Sequence, residues 1–207
     1  MSPTPIVPPF PVSRLRRTRA TPALRALVRE TALTPGDLIW PVFLTEGDET
    51  AIPSMPGIHR RRVPEIADAA RQARDLGIPA ICLFPHTALE DRTGDCAQAW
   101  SPDNLTNRAI AEIKSAVPEI AVMTDIALDP YNIDGHDGFV EEGEIVNDRT
   151  VEALVKMALA QAAAGADILG PSDMMDGRIG AIRAALEAEG HQRVTILSYA
   201  AKYASAF

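Results

Sequence analysis

Lys202 stands in "YAAKYASAF" (Tyr199 to Phe207), where its neighbours are alanines, tyrosines, a serine and a phenylalanine. A lysine amine attacks a carbonyl only when unprotonated, and an ordinary pKa of about 10.4 keeps it charged at neutral pH. Apolar surroundings penalise the ammonium form, so this setting favours a Schiff base. The plainer alternative is a lysine just past a strand, stretched into solvent. Two further stretches gather polar groups. "PSDMMDGR" (Pro171 to Arg178) offers a hydroxyl, two carboxylates and a guanidinium, or else a turn in which Ser172 or Asp173 caps a helix and Asp176 pairs with Arg178. "DIALDPYNIDGHDG" (Asp125 to Gly138) holds four aspartates and a histidine. It is no EF-hand, because setting Gly135 or Gly138 at the sixth loop position puts Pro130 or Ile133 where the first carboxylate belongs. His136 has no second histidine at helical spacing, which excludes a zincin and leaves a polar loop of Asx turns as the alternative.

These stretches follow short apolar runs, and the runs alternate with helical patterns. "LIWPVFL", "AICLF", "IAVMTDIAL", "DILG" and "VTILSY" read as five strands, uniformly apolar as parallel strands buried on both faces are. Between them lie a helix with Ile66, Ala69, Ala70, Ala73 and Leu76 on one face and "DNLTNRAIAEIKSA", capped by Asp103 or Asn104. "NDRTVEALVKMALAQAAAGA" follows, then "GRIGAIRAALEAEG", closed by Gly190. Before them, Thr21 and Pro22 begin a helix through "ALRALVRET". Such α/β alternation leaves a doubly wound sheet or a (β/α)8 barrel. "FLTEGDET" is not the glycine-rich turn of a dinucleotide-binding sheet, so the barrel is expected. A full barrel needs eight strands in about 250 residues, and only about the first five βα units fit here. The expected division is an extended N-terminal arm over residues 1–36 and a partial barrel over 37–207. In either architecture functional groups collect past the C-terminal strand ends, where these three stretches fall together with a fourth, "PHTALEDRTGD", after the second strand.

The chain has 207 residues, 46% of them hydrophobic, and a formal net charge of −8. Six arginines (Arg14, Arg16, Arg17, Arg19, Arg25, Arg29) precede the first acidic residue, Glu30, leaving 14 of the 20 basic side chains against all 28 acidic ones. That body repels a phosphate backbone, so nucleic acid is not an expected partner. No run approaches a membrane span, and membranes are not an expected partner either. Cys82 and Cys96 fit no zinc or redox spacing, which suits a reduced, cytoplasmic setting. The arginine-rich start also fits an organellar transit peptide.

"MTDIALDPYNIDGHDG", "GADILGPSDMMDGRIGAIRAAL" and "ILSYAAKYASAF" together resemble the porphobilinogen synthase (delta-aminolevulinic acid dehydratase) family, supported by "RLRRT", "LTPGDLIWPVFLTEG", "SMPGI" and "DNLTNRAIAEIK". The resemblance implies a (β/α)8 TIM barrel whose arm embraces a neighbouring subunit, usually in homo-octamers. The implied activity is a lyase reaction of heme and porphyrin biosynthesis, the condensation of two 5-aminolevulinate molecules to porphobilinogen with loss of two waters. It makes Lys202 the first of two Schiff-base lysines and Asp125 a catalytic aspartate that moves protons or orients the substrate amine. Ser172, Asp173 and Tyr199 become substrate-binding groups, with Ser198 on the same strand end.

The zinc-dependent branch carries cysteines two, four and twelve residues after the aspartate that Asp125 matches. This chain has Ala127, Asp129 and Asp137 there. A thiolate zinc site cannot form from one methyl and two hard carboxylates, so the zinc-free branch is implied, some of whose members use magnesium at ligands beyond this chain. The family's second lysine and its last three strands have no counterpart here. The sequence is therefore expected to be a truncated copy, unable alone to complete the condensation. A class I aldolase-like lyase, or a non-catalytic piece that docks on full-length subunits, are the other readings.

Overall fold

The computed structural model describes residues 8–48, 51–201 and 203. The chain divides between Thr34 and Pro35. In the first unit, α1 (Pro22–Leu27) opens where Thr21 accepts a hydrogen bond from the Leu24 amide at 3.2 Å, with proline at the first helical position. The helix ends at Leu27, short of the expected Thr31. None of its residues is buried, and a short helix with no packed face gains too little per turn to propagate.

The second unit contains β1 (Ile39–Thr45), α2 (Val63–Asp75), β2 (Ala80–His86), α3 (Leu105–Ala116) and β3 (Ala121–Ile126). It continues through the hairpin β4 (Val140–Glu141) and β5 (Glu144–Ile145), α4 (Asn147–Ala164), β6 (Ile168–Pro171), α5 (Arg178–Ala188) and β7 (Thr195–Ile196). Each of the five apolar runs became a parallel strand, in the order β1-β2-β3-β6-β7. Every strand of this sheet lies beside the next one in sequence. A doubly wound sheet reverses direction at a switch point, and this one does not; it is the opening part of a (β/α) barrel.

Strand alternation sorts the side chains onto two faces. Val42, Leu44, Ile81, Leu83, Val122 and Leu169 enter the core beneath the helices. From α2 they meet Ile66, Ala69, Ala70 and Ala73, all fully buried; the three alanines let the helix approach the sheet closely. Leu76, expected on that face, forms the helix C-cap and is 56% exposed, because the chain is already turning through Gly77 at φ +74°. At α3 the cap is Asn104, not Asp103: its carboxamide oxygen accepts from the Asn107 amide at 2.8 Å while its nitrogen donates to Gln98 and Ala99 carbonyls. Gly165 at φ +108° ends α4, and Gly190 at φ +83° follows α5. The hairpin β4–β5 was not expected from the sequence; Glu142 and Gly143 turn it with φ of +52° and +83°.

Candidate active site

The face of the sheet opposite the helices carries a row made of Pro41, Cys82, Met123, Ile168 and Thr195, paired strand to strand. One step toward the C-terminal ends, Phe43 pairs with Phe84, their rings 5.8 Å apart, and Asp125 pairs with Gly170. Beyond β7 the chain continues along β6: the Leu197 amide donates to the Leu169 carbonyl at 2.8 Å and the Tyr199 amide to the Pro171 carbonyl at 3.1 Å. The Ser172 amide reaches the Ile126 carbonyl at 3.4 Å. Asp125, Ser172 and Tyr199 are thus brought to adjacent strand ends by the sheet itself. Lys202, the remaining catalytic candidate, lies outside the described residues.

Tyr199 reaches farther than its strand. A Cβ built on Gly170 would stand 3.1 Å from Tyr199 Cε2 and 2.4 Å from Met123 Cε, so the ring lies over the glycine in space that any side chain would fill. Its phenol and the Cys82 thiol, two strands beyond Gly170, lie close enough for each to shift the other's ionisation. Burial pushes the Cys82 thiol up to about 12, with the Asp125 charge adding to the shift and the Tyr199 phenol opposing it. Burial likewise takes the Tyr199 phenol to about 12, followed by the charges of Cys82 and Asp125. On sequence Cys82 fitted no zinc or redox spacing; only the sheet register brings it to the strand beside the one that carries Asp125.

Burial raises Tyr131 to about 12 as well, with the Asp125 and Asp129 charges contributing, and its hydroxyl lies 3.3 Å from Thr106 Oγ1. Asp173 is fully buried: Oδ1 accepts from the Met175 amide at 2.8 Å, and Oδ2 stands 3.0 Å from Arg178 Nε. The latter N–H is not aimed at the oxygen, so the contact is an ion pair without a well-formed hydrogen bond. Burial raises the Asp173 pKa and Arg178 partly offsets it. This corrects the turn chemistry expected from sequence. Neither Ser172 nor Asp173 caps α5, whose N-cap is Gly177; Arg178 pairs with Asp173, and Asp176 instead accepts and donates backbone bonds with the Asn147 side chain.

The loop after β3 is internally bonded. Buried Asn132 donates to the His136 and Gly138 carbonyls and accepts from the Asp134 amide, the expected Asx turn. Ala127 is buried, whereas Asp129 and Asp137 are partly exposed. Three soft donors would be needed for a thiolate zinc site, and these positions supply a methyl and two carboxylates, so the residues present do not fit that metal. Beside this region, a cleft of about 520 Å³ opens between the ends of β1 and β2 and the start of α3, lined by Thr45, Glu46, His86, Asp91, Arg108 and Tyr131. His86 and Asp91 belong to "PHTALEDRTGD", the strand-end stretch that the sequence marks out after the second strand. Arg108 is ion-paired to Glu46 within it.

Residues 12–207 match the sequence profile described as "Delta-aminolevulinic acid dehydratase". The chain is 61% identical over 204 residues to the delta-aminolevulinic acid dehydratase of Rhodobacter capsulatus, covering 98% of this chain and 61% of that protein. It is 49% identical to the chloroplastic delta-aminolevulinic acid dehydratase of Glycine max, covering 99% of this chain and 50% of that one. The crystal structure of delta-aminolevulinic acid dehydratase (porphobilinogen synthase) from Toxoplasma gondii ME49, in complex with the reaction product porphobilinogen, superposes with a TM-score of 0.88 at 44% identity, over 94% of this chain and 56% of that one. This chain therefore spans between half and about three fifths of the length of these relatives, and it belongs to the delta-aminolevulinic acid dehydratase family.

Proposed function

We propose that this chain supplies the first imine-forming half of a porphobilinogen synthase site. The substrate is 5-aminolevulinate, and the full reaction condenses two molecules to porphobilinogen with loss of two waters. The observation that carries this reading is the gathering of Asp125, Ser172 and Tyr199 on adjacent strand ends, Tyr199 standing three residues before Lys202 in the sequence, in a fold whose Toxoplasma relative binds the product.

In this reading the uncharged Lys202 amine adds to the substrate ketone carbon, and the carbonyl oxygen takes a proton. The amine then gives up its own protons as that oxygen leaves as water, so the C=O bond is replaced by C=N. Asp125 lies where its carboxylate can hold the substrate ammonium or carry one of these protons, and Ser172 and Tyr199 orient the carboxylate-bearing chain. Asp173 supports the turn that presents Ser172. The donor set at Ala127, Asp129 and Asp137 favours a zinc-independent reaction, with any magnesium held by residues beyond these 207. The same reading makes the complete enzyme a cytoplasmic homo-oligomer, an octamer by family resemblance; no helix among the described residues is long and apolar enough to cross a membrane.

The test is reductive trapping. Borohydride added with 5-aminolevulinate is expected to leave a stable adduct on Lys202, located by peptide mass spectrometry, and none with a sugar phosphate. Absence of the 5-aminolevulinate adduct, or equal labelling by the sugar phosphate, overturns the assignment.

A further inference from the structure

We propose that Asn147, the first residue of α4, is a positioning residue for Ser172: its carboxamide clasps the backbone of Asp176 and so fixes the turn that presents the serine hydroxyl. The inference rests on the imine reading above, in which Ser172 orients the substrate, and names what holds that serine in place. An asparagine at a helix start usually serves as the N-cap, bonding the helix's own first amides. Here Val146 occupies the cap position without a side-chain bond, and the Asn147 side chain turns toward the next βα unit. Its Oδ1 accepts from the Asp176 amide at 2.7 Å, and its Nδ2 donates to the Asp176 carbonyl at 3.2 Å. The same nitrogen donates to Asp148 Oδ1 at 3.1 Å. A carboxamide that takes both backbone groups of one residue copies the paired bonding of an antiparallel strand, and so fixes orientation as well as distance.

Within the turn between β6 and α5, Asp173 Oδ1 takes the Met175 amide at 2.8 Å and Arg178 Nη1 donates to the Met175 carbonyl at 2.9 Å. Those bonds set the shape of the turn and leave its placement open. The Ser172 amide, bonded to the Ile126 carbonyl at 3.4 Å, ties down its near end, and Asn147 ties its far end to α4. That helix is itself fixed to the loop after β3. The Val146 amide donates to the Phe139 carbonyl at 2.9 Å, and the Phe139 amide donates to buried Thr150 Oγ1 at 3.0 Å. Gly138 completes the junction, since a Cβ there would stand 3.0 Å from Met175 Cε and 3.1 Å from Thr150 Oγ1. The first turn of α4 thus joins the loop that follows Asp125 to the turn that carries Ser172, and sets the distance between two groups that must meet one substrate.

Four chains test this: the wild type, Asn147→Ala, Ser172→Ala and the double variant. Each is read by the 5-aminolevulinate concentration that half-saturates borohydride trapping on Lys202. Ser172→Ala is expected to raise that concentration about tenfold, the loss of one hydrogen bond to a charged group, and Asn147→Ala about fivefold. Because both act through one hydroxyl, the double variant should be no worse than Ser172→Ala; independent effects would multiply to about fiftyfold. Hydrogen exchange at the Asp176 amide is expected to quicken about tenfold in Asn147→Ala and to stay slow in Asn147→Asp, which keeps the acceptor. Thermal melting confirms folding; should Asn147→Ala not fold, Asn147→Ser, too short for both bonds, replaces it. Wild-type saturation in Asn147→Ala, effects that multiply, or unchanged Asp176 exchange overturns the positioning role. If wild-type Lys202 fails to trap, the imine reading falls and takes the substrate role of Ser172 with it, while the Asp176 exchange still decides whether Asn147 holds the turn.

Discussion

Asp173 Oδ2 lies 3.0 Å from Arg178 Nε, the carboxylate side chain fully enclosed and the guanidinium side chain 16% exposed. Removing one partner of so enclosed a pair leaves a charge without compensation. Arg178→Met is expected to destabilise the fold by about 3 kcal/mol, read from urea denaturation midpoints, because Asp173 must then remain ionised without a partner or take up a proton. Arg178→Lys, which keeps the charge, should recover part of that loss.

The same aspartate gives a signed pH dependence. Its folded pKa is raised, chiefly by burial, above the unfolded value of about 3.9. The folded state therefore holds the proton more tightly, and the stability linked to this group is complete below the unfolded pKa and lost as pH rises through the folded one. The stability of the wild type relative to Asp173→Asn is thus expected to increase as pH is lowered from 7 toward 4. A difference that is flat, or that shrinks toward acid, contradicts the burial-driven shift.

Gly170 makes a volume prediction. In Gly170→Ala the new methyl meets the movable tip of Met123 at 2.4 Å, but also the Tyr199 ring at 3.1 Å and the Thr124 carbonyl oxygen at 3.2 Å. Met123 can swing away; the ring and the backbone cannot without cost. A loss of about 1–3 kcal/mol is expected for the single variant. Met123→Ala in the same chain should relieve only the part due to the methionine, so the double-mutant cycle should show a favourable coupling smaller than the whole loss.

The strands were legible because their helix-facing and inner positions are both apolar, as in "AICLF", and the helices because alanines and isoleucines recur at helical spacing, as in α2. The hairpin β4–β5 escaped because "EEGE" lacks the asparagine-glycine or aspartate-glycine pair that marks a tight turn. At the site, strand-end position singled out the stretches that hold Asp125 and Ser172, and the family resemblance named these two residues with Tyr199. The Asp173–Arg178 pair could not be told from an Asp176–Arg178 pair, since both are within reach in sequence and only the fold decides which carboxylate turns inward. Cys82 was invisible for a different reason: it comes near Asp125 only through the pairing of β2 with β3, which the sequence does not show.

Asn132 offers a local test of the loop that carries Asp129 and Asp137. Its buried side chain joins the His136 and Gly138 carbonyls to the Asp134 amide. Asn132→Ala removes three hydrogen bonds at once and leaves their backbone partners buried or half-buried, which costs about 2–3 kcal/mol. Because those bonds all close within residues 132–138, the loss should be felt locally. Limited proteolysis is expected to cut between Ile133 and Glu144 in the variant under conditions that leave the wild type intact.

Two buried acidic groups make the alkaline limit of the fold predictable. Burial raises the Cys82 thiol and the Tyr131 phenol each to about 12, above ordinary values of about 8.5 and 10. Both are held protonated in the folded state, so their linked stability is complete below the unfolded values and is lost as pH climbs toward 12. Unfolding free energy should therefore fall steeply from about pH 9 upward. Cys82→Ala should flatten the part of that fall which begins near the ordinary thiol range, and Tyr131→Phe the part which begins near the phenol range. In the native protein at pH 8, Cys82 should also resist iodoacetamide that alkylates it readily in urea, since a protonated, enclosed thiol is a poor nucleophile. Fast alkylation of Cys82 under native conditions, with no flattening in the alanine variant, would show that the thiol is not enclosed.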